Sequence, residues 1–311
     1  MKIGLSEKTV QKNIFAVVPL QFARSVHAGG LPAESVSELH QVPLSETSTA
    51  SITIATSIAP FDLGKQKYAV NSWLRLGFKV VSLNIQKEIN QLQEKFPGVR
   101  FIRVTRDGRN LVGKPCVYID DMLAALKQSS DHVVGIVNSD IIIGYLNREA
   151  AGCFLYGSRI DINGVEDVTG RVYSLGFDFF FFDDSSIDHI SSTDFMLGIP
   201  WWDYWLPSVA LLNDIHVKRI DTPFGYHLRH EINYSTEQFF QFARKFRRHC
   251  GKASFVDLYQ QCVDGNYGNI CCSVLAEAVL DYLARNSERI YLPGPVVREC
   301  KKFWLFRKTC E

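Results

Sequence analysis

The sequence contains no hydrophobic run long enough to cross a membrane. A spanning helix needs about 20 mainly apolar residues, whereas the longest apolar stretches, residues 14–22 and 177–182, are much shorter. The polar amino terminus is not followed by the apolar core of a secretory signal, so we expect no signal peptide. The eight cysteines include no C-x-x-C pair, which favours reduced thiols. These absences predict a cytoplasmic protein.

The chain also lacks an excess of either charge. It has 34 Lys and Arg residues against 33 Asp and Glu residues, a formal net charge of +1. This balance argues against a nucleic acid partner. With 46% hydrophobic and 22% charged residues, the composition is that of a globular protein rather than a disordered one. The 311 residues allow one large domain with a small appendage.

The pattern of apolar residues predicts an α/β fold. The small polar stretch of residues 45–51 indicates a linker, so residues 1–50 are interpreted as an amino-terminal appendage and linker. From there to residue 137, short β-branched runs alternate with segments of helical spacing, which predicts a parallel sheet flanked by helices. Ligands of such sheets bind at the carboxyl ends of the strands. Beyond residue 233, amphipathic spacing over 237–248 and 272–285 predicts a helical carboxyl-terminal region.

The segment Val134-Gly-Ile-Val-Asn-Ser-Asp140 is a candidate metal and diphosphate site. It is an apolar strand that delivers Asn138, Ser139 and Asp140 at its carboxyl end. Strand alternation places Asn138 and Asp140 on the same side of the backbone. Two oxygen ligands there would suit a hard divalent ion that neutralises a diphosphate. The alternative is a plain turn after a buried strand.

A carboxylate among aromatic residues is a candidate general base. Asp203 lies within Gly198-Ile-Pro-Trp-Trp-Asp-Tyr-Trp-Leu-Pro207, where aromatic side chains would exclude water and raise its pKa. The alternative is that the aromatic residues belong to the core and that Asp203 caps a helix.

Two histidines form the third candidate feature. His227 and His230 are three residues apart, so one helical turn would place both on one face, where an imidazole can complete a metal site. Arg229 between them is suited to phosphate. The alternative is an ordinary surface or core histidine pair.

These segments together resemble the GT-A nucleotide-diphospho-sugar transferases. The resemblance covers about residues 51–230. It rests on four segments in order: Ile54-Ala-Thr-Ser57, Val137-Asn-Ser-Asp140, Phe177-Asp-Phe-Phe-Phe-Phe182 and Trp202-Asp-Tyr-Trp-Leu206. It implies a GT-A (Rossmann-like) α/β fold whose mostly parallel sheet is flanked by helices. The catalytic domain would span residues 51–233 and the helical region residues 234–311.

The resemblance also implies roles for individual residues. Asp140 and His227 would hold a divalent metal, Mn²⁺ or Mg²⁺, and Asn138 stands where many relatives have aspartate. Asp203 matches the general base of inverting members. Expected donor contacts are Thr56, Ser57, Asn84, Asp120, Asn138, Ser139 and Arg159, with Asp121 as a rival to Asp120. Expected acceptor contacts are Asp178 and Trp202.

The expected reaction is transfer of a sugar from a nucleotide donor, with UDP the commonest carrier, to a hydroxyl of a glycan or lipid-linked acceptor. The basic residues 244–249 would permit peripheral contact with the inner face of a membrane, although a solvated helix face is the alternative. A sugar-nucleotide-forming nucleotidyltransferase is disfavoured because the loop of residues 56–60 has no glycine. A non-catalytic sugar-binding module is the other alternative, and Asn138 in place of aspartate favours it.

Overall fold

The computed structural model describes residues 51–144, 153–165, 170–191, 193–230, 234–251, 253–266 and 268–291. The predicted appendage of residues 1–50 lies outside these ranges, as does the end of the predicted carboxyl-terminal region from residue 292 onward. Among the described residues, no helix combines the length and apolar character required to traverse a bilayer.

The first half of the described chain alternates strands and helices, as the sequence predicts. Its elements are β1 (Ile52–Thr56), α1 (Leu63–Arg75), β2 (Lys79–Asn84), α2 (Gln86–Leu92), β3 (Val99–Arg103), α3 (Arg109–Val112), α4 (Ile119–Lys127) and β4 (Val133–Val137). The turn after α1 contains Gly77 with a φ of 76°, a left-handed conformation that glycine adopts without steric cost.

The second half adds strands over 141–143, 154–162, 217–228 and 288–290 that the sequence pattern does not predict, whereas a strand or hairpin arm was expected over residues 171–182. Its elements are β5 (Ile141–Ile143), β6 (Phe154–Ile162), β7 (Arg171–Tyr173), β8 (Phe179–Asp183), α5 (Trp202–Leu212), β9 (Val217–Leu228), α6 (Thr236–His249), α7 (Ser254–Asp264), α8 (Ile270–Asn286) and β10 (Glu288–Ile290). A capping box opens α6, in which the Ser235 side chain and the Gln238 side chain each bond the other residue's backbone N–H.

The described strands form one sheet in the order β10-β9-β6-β8-β4-β1-β2-β3, with β5 also paired to β9 and β7 to β6. The neighbours β3, β2, β1 and β4 are parallel, as expected. β8 is antiparallel to both β4 and β6, so the complete sheet is mixed. Because β8 runs in the opposite direction, its first residues lie at the carboxyl end of β4.

Apolar residues cover both faces of this sheet. Along β8, Phe180 and Phe182 belong to one core cluster, while Phe179 and Phe181 belong to the other. The uninterrupted phenylalanine run therefore reflects a strand buried on both faces. The first cluster also contains buried residues of α5, α6, α7 and α8. The carboxyl-terminal helices thus share a core with the sheet.

Candidate functional site

The site is built around the carboxyl end of β4. The Asn138 backbone N–H donates to the Asp178 carbonyl oxygen at 2.8 Å, and the Asn138 side-chain amide donates to Asp178 Oδ1 at 2.6 Å. This pair continues the antiparallel register in which Val137 lies opposite Phe179. Asn138 therefore anchors the start of β8 to the end of β4 by two hydrogen bonds.

Strand register brings three further side chains to this edge. His227 on β9 lies opposite Ile141 of β5 and opposite Asp161 of β6. Asp140 directly precedes β5. Asp140, Asp161 and His227 are therefore neighbours because of backbone pairing, although Asp140 and His227 are 87 positions apart in the sequence.

Asp140, His227 and His230 form a cluster that could hold a metal ion. Asp140 Oδ2 lies 2.9 Å from His230 Nε2 and 3.4 Å from His227 Nε2. All three potential ligand atoms lie within 4.8 Å of one another. Ligand atoms about 2.1 Å from a common metal ion are themselves about 3.0–3.4 Å apart, so the cluster needs little rearrangement to bind one.

The two histidines do not meet through a helical turn, which the sequence analysis considered. His227 lies near the end of strand β9, and His230 follows that strand by two residues. Their ring centroids are 4.8 Å apart and nearly perpendicular. The spacing of three residues brings them together because the chain leaves the sheet after Leu228.

The charges of the cluster stabilise one another. Burial alone would raise the pKa of Asp140, but hydrogen bonds from His227 and His230 hold it well below its usual range. Burial would likewise lower the pKa of His227, yet hydrogen bonds to Asp140 and Asp161 raise it to about 9. His227 Nδ1 lies 3.0 Å from Asp161 Oδ1. A carboxylate behind a histidine in this way fixes the ring orientation and leaves Nε2 toward the cluster.

Arg159 connects this cluster to a second group of residues. Its Nε donates to Asp161 Oδ1 at 2.8 Å, and its terminal nitrogen donates to Asp178 Oδ2. The guanidinium also lies over the Tyr173 ring, 4.3 Å from the centroid. Burial opposes the charge of Arg159, but the two carboxylates raise its pKa overall. Arg159 is therefore a fixed cation between the β4 edge and the loop before β8.

Asp203 lies beside that loop, in the first turn of α5. Its Oδ2 accepts a hydrogen bond from the Phe177 backbone N–H at 3.1 Å. Burial raises the pKa of Asp203 to about 7, and the negative charge of Asp178 adds to the effect. Gly176 permits this approach, because a Cβ atom there would lie 2.9 Å from Asp203 Oδ2. A carboxyl group with such a pKa can exchange protons near neutral pH.

Two tyrosines share this environment. The pKa of Tyr173 and that of Tyr234 are raised, in each case mainly by burial and further by the charge of Asp203. Both side chains are only partly buried. They provide an aromatic surface near Asp203, which the sequence predicted for the aromatic residues of segment 198–207.

Trp202 does not provide that surface. It is 3% exposed and packs edge-to-face on Phe180 with centroids 5.2 Å apart. Its ring is part of the hydrophobic core, so no face is open for stacking on a sugar. The core alternative of the sequence analysis therefore describes this tryptophan.

Two expected donor contacts are also buried in the structure. Asn84 donates to the Ile58 carbonyl oxygen at 2.8 Å and to Glu88 Oε2 at 2.9 Å. Its side chain therefore holds the loop after β1 in place. Thr56 is fully buried, and among the described residues its Oγ1 has no hydrogen-bond partner. Ser57, between Thr56 and Ile58, is partly exposed and remains available to a ligand.

The other expected donor contacts differ in their surroundings. Ser139 is partly exposed beside Asp140. Both carboxylate oxygens of Asp120 accept from the Thr193 backbone N–H at 3.0 Å. Asp121 pairs with Arg106 at 3.0 Å. Asp120 thus holds the chain segment before Phe195, a structural task that the sequence did not indicate.

Asp161, Tyr173 and Tyr234 were not predicted from the sequence, and His230 was predicted only as a partner of His227. One signal was available for Asp161, since it lies two residues after Arg159 and strand alternation places both on one face. No comparable signal was available for the tyrosines, because their approach to Asp203 depends on tertiary packing.

Comparison with known proteins adds little to this geometry. No protein-family model matches the sequence, and no curated protein matches it. A weak structural neighbour is the glycosyltransferase GlyE of Streptococcus pneumoniae TIGR4, with 11% sequence identity and a TM-score of 0.26. The alignment covers 68% of this chain and 51% of GlyE, so the chain spans about half the length of that protein. A likeness this weak carries no argument about fold or activity.

Proposed function

We propose that this chain is a metal-assisted glycosyltransferase of the GT-A type that uses a nucleotide-sugar donor, with UDP as the carrier. The observation that carries the proposal is the arrangement at the sheet edge. A potential metal cluster at the end of β4 is linked through Asp161, Arg159 and Asp178 to the loop that contacts Asp203. The catalytic domain would be residues 51–233, supported by the helices α6, α7 and α8 of the following region.

The donor would bind at the cluster end of the site. A divalent ion held by Asp140, His227 and His230 would supply positive charge to a diphosphate leaving group. Ser139 and Ser57 would offer hydroxyl groups to the donor from the ends of β4 and β1. Asn138 would act by positioning the loop, because its amide is already bonded to Asp178.

The acceptor would bind at the Asp203 end. Asp203 would take the proton from an acceptor hydroxyl while that oxygen attacks the anomeric carbon and the bond to the diphosphate breaks, with inversion. Burial keeps the pKa of Asp203 high, the charge of Asp178 adds to it, and the Phe177 N–H holds the carboxylate in place. A base is most effective when its pKa lies near the working pH. Tyr173 and Tyr234 would contact the sugar.

The basic residues of α6 do not enter this proposal. Lys245 pairs with Asp194 at 2.8 Å and Arg244 with Glu237 at 3.6 Å, and Arg247 donates to Gln260. These partners favour the solvated-face interpretation of the basic stretch over a membrane contact.

The first test is a thermal-shift panel of nucleotides and nucleotide sugars with and without Mn²⁺. A ligand that binds only the folded state raises its stability by mass action. We expect a metal-dependent rise for one nucleotide, lost in Asp140→Ala and kept in the matched control His216→Gln, which removes an exposed histidine–carboxylate pair. No rise for any nucleotide at millimolar concentration would contradict the proposal.

The second test is Asp203→Asn. We expect transfer to fall by about 10²–10⁴-fold, the usual contribution of a positioned base, while the donor-induced thermal shift persists. In the wild-type enzyme the rate should rise with pH and level off above about pH 7, because the carboxylate is the active form. Full transfer by Asp203→Asn would remove this residue from the base role.

A further inference from the structure

The ligand cluster is rich in nitrogen. Two of its three donor groups are imidazoles, and only Asp140 supplies oxygen. Mg²⁺ and Ca²⁺ prefer oxygen ligands and retain much of their water. Imidazole ligands instead suit the first-row transition ions, for which a site of two histidines and one carboxylate is a common arrangement. The donor set therefore argues against Mg²⁺, one of the two ions expected from the sequence.

The cluster is also ordered without any contribution from a phosphate. His227 is 5% exposed, and its ring is held by Asp161, which in turn receives a hydrogen bond from Arg159. Asp140 and His227 are fixed by the pairing of β5 with β9. Three protein ligands in near-coordination geometry should bind an ion without waiting for a substrate oxygen to complete the site.

The contact between Asp161 and the outer ring nitrogen of His227 is of a kind found in resident metal sites. A carboxylate that accepts the outer N–H of a ligating histidine fixes its tautomer and increases its basicity, and loss of that carboxylate usually lowers metal affinity by about 10–100-fold. Asp161 occupies that place here. Arg159 holds Asp161 at 2.8 Å, so the outer carboxylate is itself oriented.

We infer that Asp140, His227 and His230 form a resident site for a first-row transition ion, such as Mn²⁺, Fe²⁺, Co²⁺ or Zn²⁺. The site takes up its ion before the nucleotide sugar, discriminates against Mg²⁺ and depends on Asp161 as a positioning residue. The role given to the ion rests on the proposed function, whereas the binding of the ion does not. The competing explanation is a purely structural ion-pair cluster that holds no metal.

Metal binding to the chelator-treated full-length protein tests the inference in the absence of any nucleotide. Isothermal titration calorimetry with Co²⁺, Mn²⁺ and Mg²⁺ gives stoichiometry and affinity, and the visible absorption of Co²⁺ reports histidine ligation. We expect one equivalent of Co²⁺ with a perturbed visible spectrum. We also expect Mg²⁺ affinity to be lower by at least about 100-fold.

Substitutions distinguish the metal ligand His230 from the positioning residue Asp161. His230→Ala should weaken Co²⁺ binding by about 100-fold or more and alter the spectrum. Asp161→Asn should weaken binding by about 10–100-fold while the spectrum keeps the signature of two histidines. His216→Gln should bind as the wild type does. Circular dichroism of each metal-free variant identifies any that fails to fold, and for those His230→Gln and Asp161→Glu are the replacements.

Each outcome bears on one proposal. Equal affinity for Mg²⁺ and Co²⁺, no binding without nucleotide, or unchanged Co²⁺ binding by His230→Ala would overturn the inference. Tight, selective Co²⁺ binding together with no response to any nucleotide sugar would support the resident site and contradict the glycosyltransferase proposal. A metal-dependent response to a nucleotide sugar, together with no binding of Co²⁺ to the nucleotide-free protein, would overturn the resident site and still support the glycosyltransferase proposal.

Discussion

At the scale of single residues, the site depends on one carboxylate with two different partners. Asp178 Oδ1 accepts from the Asn138 amide, and Asp178 Oδ2 accepts from the Arg159 guanidinium. Its backbone carbonyl accepts a third hydrogen bond, from the Asn138 N–H. Asp178 therefore fixes the loop that carries Phe177, the donor to Asp203. Its charge also influences the pKa of Asp203.

The raised pKa of Asp203 makes a prediction about stability. The folded-state pKa of about 7 lies above the ordinary value of 3.8, so the native state binds more protons between these values. Stability contributed by the neutral carboxyl is therefore lost as pH rises from about 4 to about 7. Asp203→Asn, which stays neutral, should gain on the order of 2–4 kcal/mol relative to wild type between pH 4 and pH 8.

Urea unfolding of both proteins at several pH values measures this difference. Asp188→Asn, which removes an exposed carboxyl paired with Lys127, is the control and should show no such gain. If the free energies of unfolding of wild type and Asp203→Asn stayed parallel across this range, Asp203 would be ionised at little cost in the folded protein.

At the scale of elements, β4 has no room for a side chain at Gly135, which pairs with Phe181 of β8. A Cβ atom on Gly135 would lie 2.6 Å from the Phe180 carbonyl oxygen and 2.8 Å from a ring carbon of Phe181. Because β4 delivers Asn138 and Asp140, any shift of its pairing with β8 displaces the proposed site.

Gly135→Ala should therefore destabilise the protein by about 1–3 kcal/mol, the usual cost of overpacking, and weaken metal binding as well. Gly64→Ala is the matched control. Nothing lies within 4 Å of a Cβ atom at that position in α1, so alanine should be neutral or stabilise by up to about 1 kcal/mol. Thermal unfolding and Co²⁺ titration measure both effects, and equal behaviour of the two variants would contradict the close approach.

The elements that the sequence predicts well are those with one buried face or one continuous apolar run. The strand and helix alternation before residue 137 is confirmed for α1, α2 and α4, which have regular apolar spacing, whereas the four-residue helix α3 was not predicted. β6 and β9 escaped prediction because they mix polar and apolar residues. Their polar members, among them Arg159, Asp161 and His227, face the proposed site rather than a solvated surface.

At the scale of the whole molecule, the carboxyl-terminal helices belong to the same core as the sheet. Trp201 Nε1, before α5, donates to the Phe239 carbonyl oxygen of α6 at 2.9 Å. The rings of Trp201 and Phe246 lie 5.1 Å apart. Although the sequence suggested a separate region from residue 234, its helix α6 packs against Trp201, which directly precedes α5.

Phe246→Ala tests this shared core. The ring is fully buried, so the substitution should cost about 3–5 kcal/mol and lower the midpoint of a single unfolding transition. Phe61→Ala removes a ring that is 62% exposed and should change stability by less than about 0.5 kcal/mol. A separate early transition in Phe246→Ala, with the sheet still folded, would show that the helices form an independent unit.

The candidate site was only partly predictable because its members come from distant parts of the chain. Asp140 and Asp203 were identified from local patterns, a strand end and an aromatic neighbourhood. Whether His227 reaches Asp140 depends on how β5 and β9 pair, and whether Trp202 faces a ligand depends on how α5 packs. Neither pairing nor packing is encoded in a short window of sequence.

The pairing of β5 and β6 with β9 has a consequence for how related sequences are expected to differ. The register of β9 with β5 and β6 places His227 opposite Ile141 and Asp161. Adjacent residues of a strand point to opposite faces of the sheet. One residue inserted or deleted between Gly225 and His227 would turn the imidazole to the other side of the sheet. A substitution at the same place would leave the scaffold intact. Divergence at this edge should therefore appear as changes of residue type at constant strand length, so that the preferred ion can change while the architecture does not.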